Sequence, residues 1–291
     1  MRIARVASGI ALAALLGGCA MVRIAYNNAE PLVRYTARDY FDLNEKQNDQ
    51  FRKRLLQFHD WHRANELPLY ATLLRAAAQR VENGVTREDV AWAAAEMRAR
   101  YRVLILRTVD EASPILVTLS PAQIRELEKR LAKANEKFAR EFLPADEDRR
   151  FRAQAKRLVG RFEDWTGSLS DEQEDRIERF VRAHMRTTQL RLENRKRWQH
   201  EAVGLLRRVR TPKELAPRLA DIFVQPARHR LPEFVQALVA WESDLTELIL
   251  DIYRTLTPDQ LAHVLRRMGR YAEDFEALSA EPAVGAQAAG N

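Results

Sequence analysis

Apolar side chains recur at steps of three and four along most of this chain, and that period decides what it can fold into. Between 120 and 142 they are Ile124, Leu127, Leu131, Ala134, Phe138 and Phe142, which fall on one face of a 3.6-residue helix. Residues 145–166 repeat the pattern with Phe151, Ala155, Leu158, Phe162 and Trp165. Residues 232–255 do so with Phe234, Leu238, Trp241, Leu245, Leu248 and Ile252, and 258–278 with Leu261, Val264, Met268, Phe275 and Leu278. Three earlier stripes run through Phe51, Leu55, Phe58 and Trp61; through Tyr70, Leu73, Leu74, Ala77 and Val81; and through Val90, Ala94, Met97, Tyr101 and Leu104. Strand-like alternation is scarce and there are only 10 glycines. The pattern predicts an all-α fold with no sheet: an elongated bundle of about eight to ten antiparallel amphipathic helices. The stretch 171–209 has no proline and only Gly204, so it reads as one helix of nearly 40 residues, with a break near Arg195–His200 as the alternative. Pro212, Pro217, Pro226 and Pro232 then punctuate a short helix around Leu215–Phe223 and a loop.

The N-terminus is built differently. Arg2 and Arg5 precede an apolar run, Ile10 to Leu16, which is too short to span a bilayer and has the flanks of a cleavable signal. Leu16-Gly17-Gly18-Cys19 closes it and resembles the lipobox of bacterial lipoproteins. The resemblance implies cleavage between Gly18 and Cys19, after the Cys19 thiol has been joined to diacylglycerol. Further acylation, by palmitate for example, would give the chain an anchor of more than one acyl group. Residues 1–18 are therefore the expected signal peptide. Residues 19–40 are the lipid anchor and a short membrane-proximal segment, and 41–278 the helical domain with a sub-boundary near 168–170. The Ala/Gly-rich 279–291 reads as a disordered tail. Ala20 follows the cysteine in place of the aspartate that holds lipoproteins in an inner membrane, which favours an outer-membrane anchor facing the periplasm. Cys19 is the only cysteine, so no internal disulfide can form.

Removing the signal leaves 46 basic against 41 acidic residues, a formal charge of +5. Most bases are arginine, clustered at Arg149-Arg150-x-Arg152, Arg195-Lys196-Arg197, Arg207-Arg208-x-Arg210 and Arg266-Arg267. Such clusters suit anionic envelope surfaces. They also suit solvated helix faces neutralised by neighbouring acids. Nucleic acid is not an expected partner for an exported chain.

One local element recurs. Leu119-Ser120-Pro-Ala-Gln123, Leu169-Ser170-Asp-Glu-Gln173 and Leu256-Thr257-Pro-Asp-Gln260 share the form Leu-[Ser/Thr]-x-x-Gln, and Leu43-Asn44-Glu-Lys-Gln47 is a looser copy. Each reads as a capping box, in which the N-cap side chain accepts an N–H of the first turn and the Gln reaches back to the N-cap amide. Pro121 and Pro258 suit the first helical position. The boxes resemble the Leu-Thr-x-x-Gln repeats of the Spy and CpxP family, periplasmic helical chaperones and envelope-stress regulators. A second resemblance is carried by the order of the lipobox, Arg23-Ile-Ala-Tyr26-Asn27-Asn28, Tyr40-Phe-Asp42, Trp61-His62 through Pro68-Leu-Tyr70, and Leu127 through Phe138. That order, over roughly residues 15–275, is similar to an uncharacterised family of proteobacterial helical lipoproteins, known only as a domain of unknown function. It implies an exported helical lipoprotein and brings no catalytic residue with it.

The tightest polar cluster is His59-Asp60-Trp61-His62 with Glu66 one turn on. Histidines at i and i+3 share a helix face and could ligate a metal, but zinc needs a third or fourth ligand and nothing local supplies one beyond Asp60 or Glu66. No catalytic or nucleotide-binding signature is present. The expectation is therefore a non-enzymatic binding or scaffold protein of the envelope, chaperone-like in one version, with no cofactor or metal. Its partners would be the membrane through its lipid, and an envelope protein or anionic lipid. The alternative is a metal-binding or hydrolytic envelope enzyme with its site near His59 and His62.

Overall fold

The computed structural model describes residues 18–282; residues 1–17 of the expected signal and 283–291 of the expected tail lie outside the described residues. All regular structure among the described residues is helical, so the all-α expectation holds. The chain runs α1 (Gly18–Asn27), α2 (Ala29–Phe41), α3 (Glu45–Asn65), α4 (Leu67–Asn83), α5 (Arg87–Leu116), α6 (Pro121–Phe142) and α7 (Glu147–Thr166). It continues through α8 (Asp171–Ala183), α9 (Met185–Arg208), α10 (Pro212–Val224), the single turn α11 (Pro226–His229), α12 (Pro232–Arg254) and α13 (Pro258–Ala280).

Several boundaries differ from the sequence reading. The stretch 171–209 divides at His184, well before Arg195. His184 leaves helical geometry (φ −114°, ψ 19°). Its Nε2 lies 3.0 Å from Asp244 on α12, and its ring packs on Phe180 at 4.6 Å, so tertiary contacts hold the bend. The last helix continues to Ala280, two residues into the segment read as tail. Residues 19–40 are helical apart from the turn at Asn28, and α1 packs on α13.

Two apolar cores hold the helices. The larger joins Leu43, Val109, Ile115, Leu119, Ile124 and Leu127 from the first half of the chain to Val203, Leu206, Leu215, Leu219 and Ile222 from α9 and α10. The smaller joins Ala155 on α7, Ile177, Phe180 and Val181 on α8, and Leu248 and Ile252 on α12. The helix α9 thus carries residues of the second half into the core of the first. The most extensive helix pair is α4 against α13, which ties the two halves together again.

Candidate functional site

The recurring boxes form as capping boxes, and they also pair in space. Asn44 and Gln47, Ser120 and Gln123, Ser170 and Gln173, and Thr257 and Gln260 each exchange the two capping hydrogen bonds at the starts of α3, α6, α8 and α13. Each glutamine spends Oε1 on its own cap and turns Nε2 to a second box. Gln47 Nε2 donates to the Thr118 carbonyl (3.1 Å), while Gln123 Nε2 donates to the Asp42 carbonyl (2.8 Å) and to Gln47 Oε1 (2.7 Å). Gln173 Nε2 donates to the Thr255 carbonyl (3.0 Å), while Gln260 Nε2 donates to the Ser168 carbonyl (2.7 Å) and to Gln173 Oε1 (3.0 Å). In all four cases the accepting carbonyl belongs to the residue before the leading leucine of the partner box. The chain therefore holds two local two-fold joints of the same design. Sequence reasoning found the caps and missed the joints. The available signal was glutamine at the third helical position of all four boxes: glutamate could cap equally well but has no N–H to give. The box at Thr86 and Asp89 makes the contrast, for its acidic partner caps its own helix and pairs with Arg80 but joins no second box.

Beside the second joint the helices leave an apolar groove. It has a volume of about 570 Å³ and lies between α4, α5, α7, α12 and α13. Val81, Ala93, Phe162, Ile249, Val264 and Met268 are among its walls. Met97 and Trp165 stand at the opening, 68% and 38% exposed. Ionic side chains of both signs rim it: Arg80, Arg161, Asp89 and Asp164. The Arg80 guanidinium lies 3.8 Å from the Trp92 ring centroid and 3.0 Å from Asp89, which fixes one edge. An open apolar trough with methionine and tryptophan at its lip can take varied apolar groups, because thioether chains adapt their shape at little cost.

The histidine cluster has another character. His62 Nδ1 lies 2.9 Å from the Tyr26 hydroxyl, and its Nε2 lies 3.5 Å from that of Tyr70. His59 Nε2 lies 3.2 Å from the Tyr26 carbonyl, and the Tyr26 ring packs on the His59 ring at 4.4 Å. Burial pushes His62 down to about 4 and lowers His59 as well. The same burial pushes Tyr26 and Tyr70 up to about 12. Both imidazoles are thus neutral near pH 7 and serve to seat α1 on α3. Among the described residues no three His, Cys, Asp or Glu side chains converge as metal ligands.

Beside this cluster, Arg63 is buried and donates to Asn27 Oδ1 (2.6 Å), to the Leu278 carbonyl (2.9 Å) and to Glu281 (3.0 Å). Glu281 also accepts from Arg23 and Asn27, both at 2.8 Å. The Arg23 hydrogen bond leads the effects that hold the Glu281 carboxyl down at about 2. The arginine clusters are partly engaged. Arg157 stacks on Phe142, Arg195 on Phe138 and Arg267 on Trp165, while Arg197 pairs with Glu201 and Arg207 with Glu128. Cys19 falls in the first turn of α1, one residue after Gly18.

No helix among the described residues is long and apolar enough to cross a membrane. Neither a curated protein nor a solved structure matches the chain. A model for a family of unknown function, DUF6279, matches residues 39–235, about two thirds of the chain, and the protein belongs to that family.

Proposed function

We propose that this protein is an envelope lipoprotein, held through acylated Cys19 on the periplasmic side of the outer membrane, and that it binds apolar polypeptide segments without enzymatic turnover. The groove beside α12 and α13 is the observation that carries the binding half of this reading. A polypeptide is the occupant because the rim offers both signs of charge. Arg161 suits acidic or carbonyl groups and Asp164 basic or amide groups, while Arg80 and Asp89 are already paired with each other and shape the edge. Exposed Met97 and Trp165 supply adaptable apolar contact, as surfaces that accept many sequences do. The address rests on the Leu-Gly-Gly-Cys19 motif and on Ala20 behind it.

An aggregation assay tests the binding half. The protein at stoichiometric ratio is expected to keep an unfolded, reduced client such as α-lactalbumin in solution. Met97→Glu combined with Trp165→Glu should abolish this while leaving the helical signal intact, since both side chains are already exposed. Full suppression by that double variant, or none by the parent, would sink the groove reading. For the address, Cys19→Ser should lose palmitate labelling and leave the membrane fraction. If it stays there, the anchor lies elsewhere.

A further inference from the structure

The helix that follows the lipid-bearing end has the wrong outer face for open water. On α2, Leu32 is 67% exposed, Tyr35 68% and Val33 41%, and Ile24 on α1 is 55% exposed. Among the described residues up to position 100, the only other large apolar side chains so exposed are Leu69 and Met97. Those of α1 and α2 are not scattered. Leu32 and Tyr35 are three apart and so share one face of the helix.

Bases flank that face. A surface depression of about 810 Å³ between α2 and α6 is lined by Arg34, Tyr35, Arg38, Arg125, Lys129 and Arg130, with Asp39, Asp42 and Glu126 as the acids. Arg130 is committed to Asp39 at 3.0 Å and Lys129 to Glu126 at 3.2 Å. Arg38 and Arg125 are exposed and have no ion-pair partner among the described residues. Two unpaired guanidiniums therefore line the depression together with exposed Tyr35, whose helix face also carries Leu32.

Position completes the argument. Cys19 lies in the first turn of α1, a helix of 10 residues, and α2 starts two residues after α1 ends. At 1.5 Å per residue, Leu32 is within about 20 Å of Cys19 along the chain. The Arg23, Asn27 and Arg63 contacts to Glu281 fix α1 to the body, so α2 cannot swing far from the anchor point.

We infer that the α2 face, with Arg38 and Arg125, docks on anionic phospholipid headgroups of the leaflet that holds the anchor. Leu32 and Tyr35 enter the interface, and the two free guanidiniums take phosphate. An amphipathic surface of this kind binds by apolar burial plus attraction to anionic lipid, and it needs both parts. The inference rests on the lipoprotein reading for the membrane it names, but its test does not depend on acylation.

The test uses the chain from residue 19 with Cys19→Ser, which retains every residue of both cores, the first of which is Ala37. This protein should co-sediment with phosphatidylglycerol-containing vesicles at low salt and lose that binding as salt rises. Pure phosphatidylcholine vesicles should not retain it. Arg38→Glu with Arg125→Glu should weaken binding by about tenfold or more. Leu32→Asp with Tyr35→Asp should weaken it comparably, while Arg149→Glu with Arg152→Glu on α7 should leave it unchanged. Equal binding to neutral vesicles, equal loss with the α7 pair, or a dimer broken by Leu32→Asp in place of vesicle binding would each overturn the inference. Palmitate labelling of the wild type separates the two claims. Labelled protein whose unacylated form ignores anionic vesicles defeats only the docking face. Unlabelled protein that still binds them defeats only the anchor.

Discussion

Gln47 and Gln123 exchange side-chain amides where α3 and α6 begin, and Gln173 and Gln260 do the same where α8 and α13 begin. The hydrogen bonds correspond atom for atom, down to the threonine hydroxyls of Thr118 and Thr255 that accept a further N–H. The surroundings do not correspond. Around the first joint, Leu43 and Leu119 are buried in the larger core, which α9 and α10 close over. Around the second joint, Leu169 and Leu256 are only partly covered and the core is smaller. Phe162, Leu245, Ile252 and Leu256 belong both to that core and to the groove or its immediate wall. The same joint thus serves a closed half and an open one. The difference teaches that the groove is not a defect of packing at a weak corner, because its edge is anchored by the same fully satisfied hydrogen bonds as the closed half.

The most severe way to probe that contrast is to remove a core side chain from each side. Leu215 and Ile177 are both 0% exposed. Leu215→Ala and Ile177→Ala should each cost about 3–4 kcal/mol, read from urea midpoints. If Ile177→Ala costs much less than Leu215→Ala, the second half is already loose and the groove is part of that looseness.

Next come the joints. Gln173→Glu keeps the capping acceptor and deletes the donor to Thr255, at a position only 1% exposed. It should cost about 2–3 kcal/mol, and Gln47→Glu a similar amount, by denaturant unfolding. Asp89→Ala, in the unpaired box of α5, should cost only about 1 kcal/mol. Equal losses at all three boxes would mean the glutamines act as caps alone.

A smaller asymmetry sits just before each joint. The first is entered through Asp42 at φ 47°, the second through Gly167 at φ 78°, ψ −165°. An aspartate tolerates its left-handed position, whereas the Gly167 conformation is open almost only to glycine. A Cβ at Gly167 would meet nothing nearer than His263 Nδ1 at 3.7 Å, so the cost there is backbone strain and not space. Gly167→Ala should cost about 1–2 kcal/mol in thermal unfolding, and Asp42→Gly less than about 1 in either direction.

The gentlest probe is pH, and the two histidine groups carry opposite signs. His62 is pushed down from 6.5 to about 4 and His59 is lowered, both by burial. The unfolded chain therefore binds more protons below pH 6.5, and this contribution to stability is lost as pH falls from about 6.5 toward 4. His229 is raised by its hydrogen bond to Asp221 first, with Glu201 adding to it. Its contribution is full below 6.5 and is lost as pH rises through its elevated value. His62→Phe should flatten the acid arm of a stability-versus-pH curve, and His229→Gln the arm above it. A curve unchanged by either would remove both assignments.

How much of this was legible beforehand follows the range of each interaction. The helical stripes are set by neighbours three and four residues apart, so Ile124 through Phe142 announced α6 without help. The caps are equally local. The Gln–Gln joints span 76 and 87 residues, and nothing within a box says which other box it meets. The break at His184 was misplaced because Asp244, which holds it, lies 60 residues away. The groove was invisible for the same reason: Met97, Trp165 and Met268 each read as ordinary core positions on their own helices. The contacts of the histidine pair were equally hidden, because Tyr26, which packs on His59 and bonds His62, comes from the segment read as membrane-proximal, 33 and 36 residues away.

That packing has a mechanical consequence. Arg23 and Asn27 at the start of the described chain grip Glu281 at its far end, with Arg63 beneath. A tug delivered through the lipid proposed for Cys19 would therefore load the first and last helices together, side by side. Peeling α1 away means breaking several charged hydrogen bonds at once and dragging the Tyr26 ring out from between two histidines. A chain tethered in the proposed way would take such a pull first at Glu281, where its two ends meet, and the load would reach the groove only through α13, which supplies Val264 and Met268 to its wall.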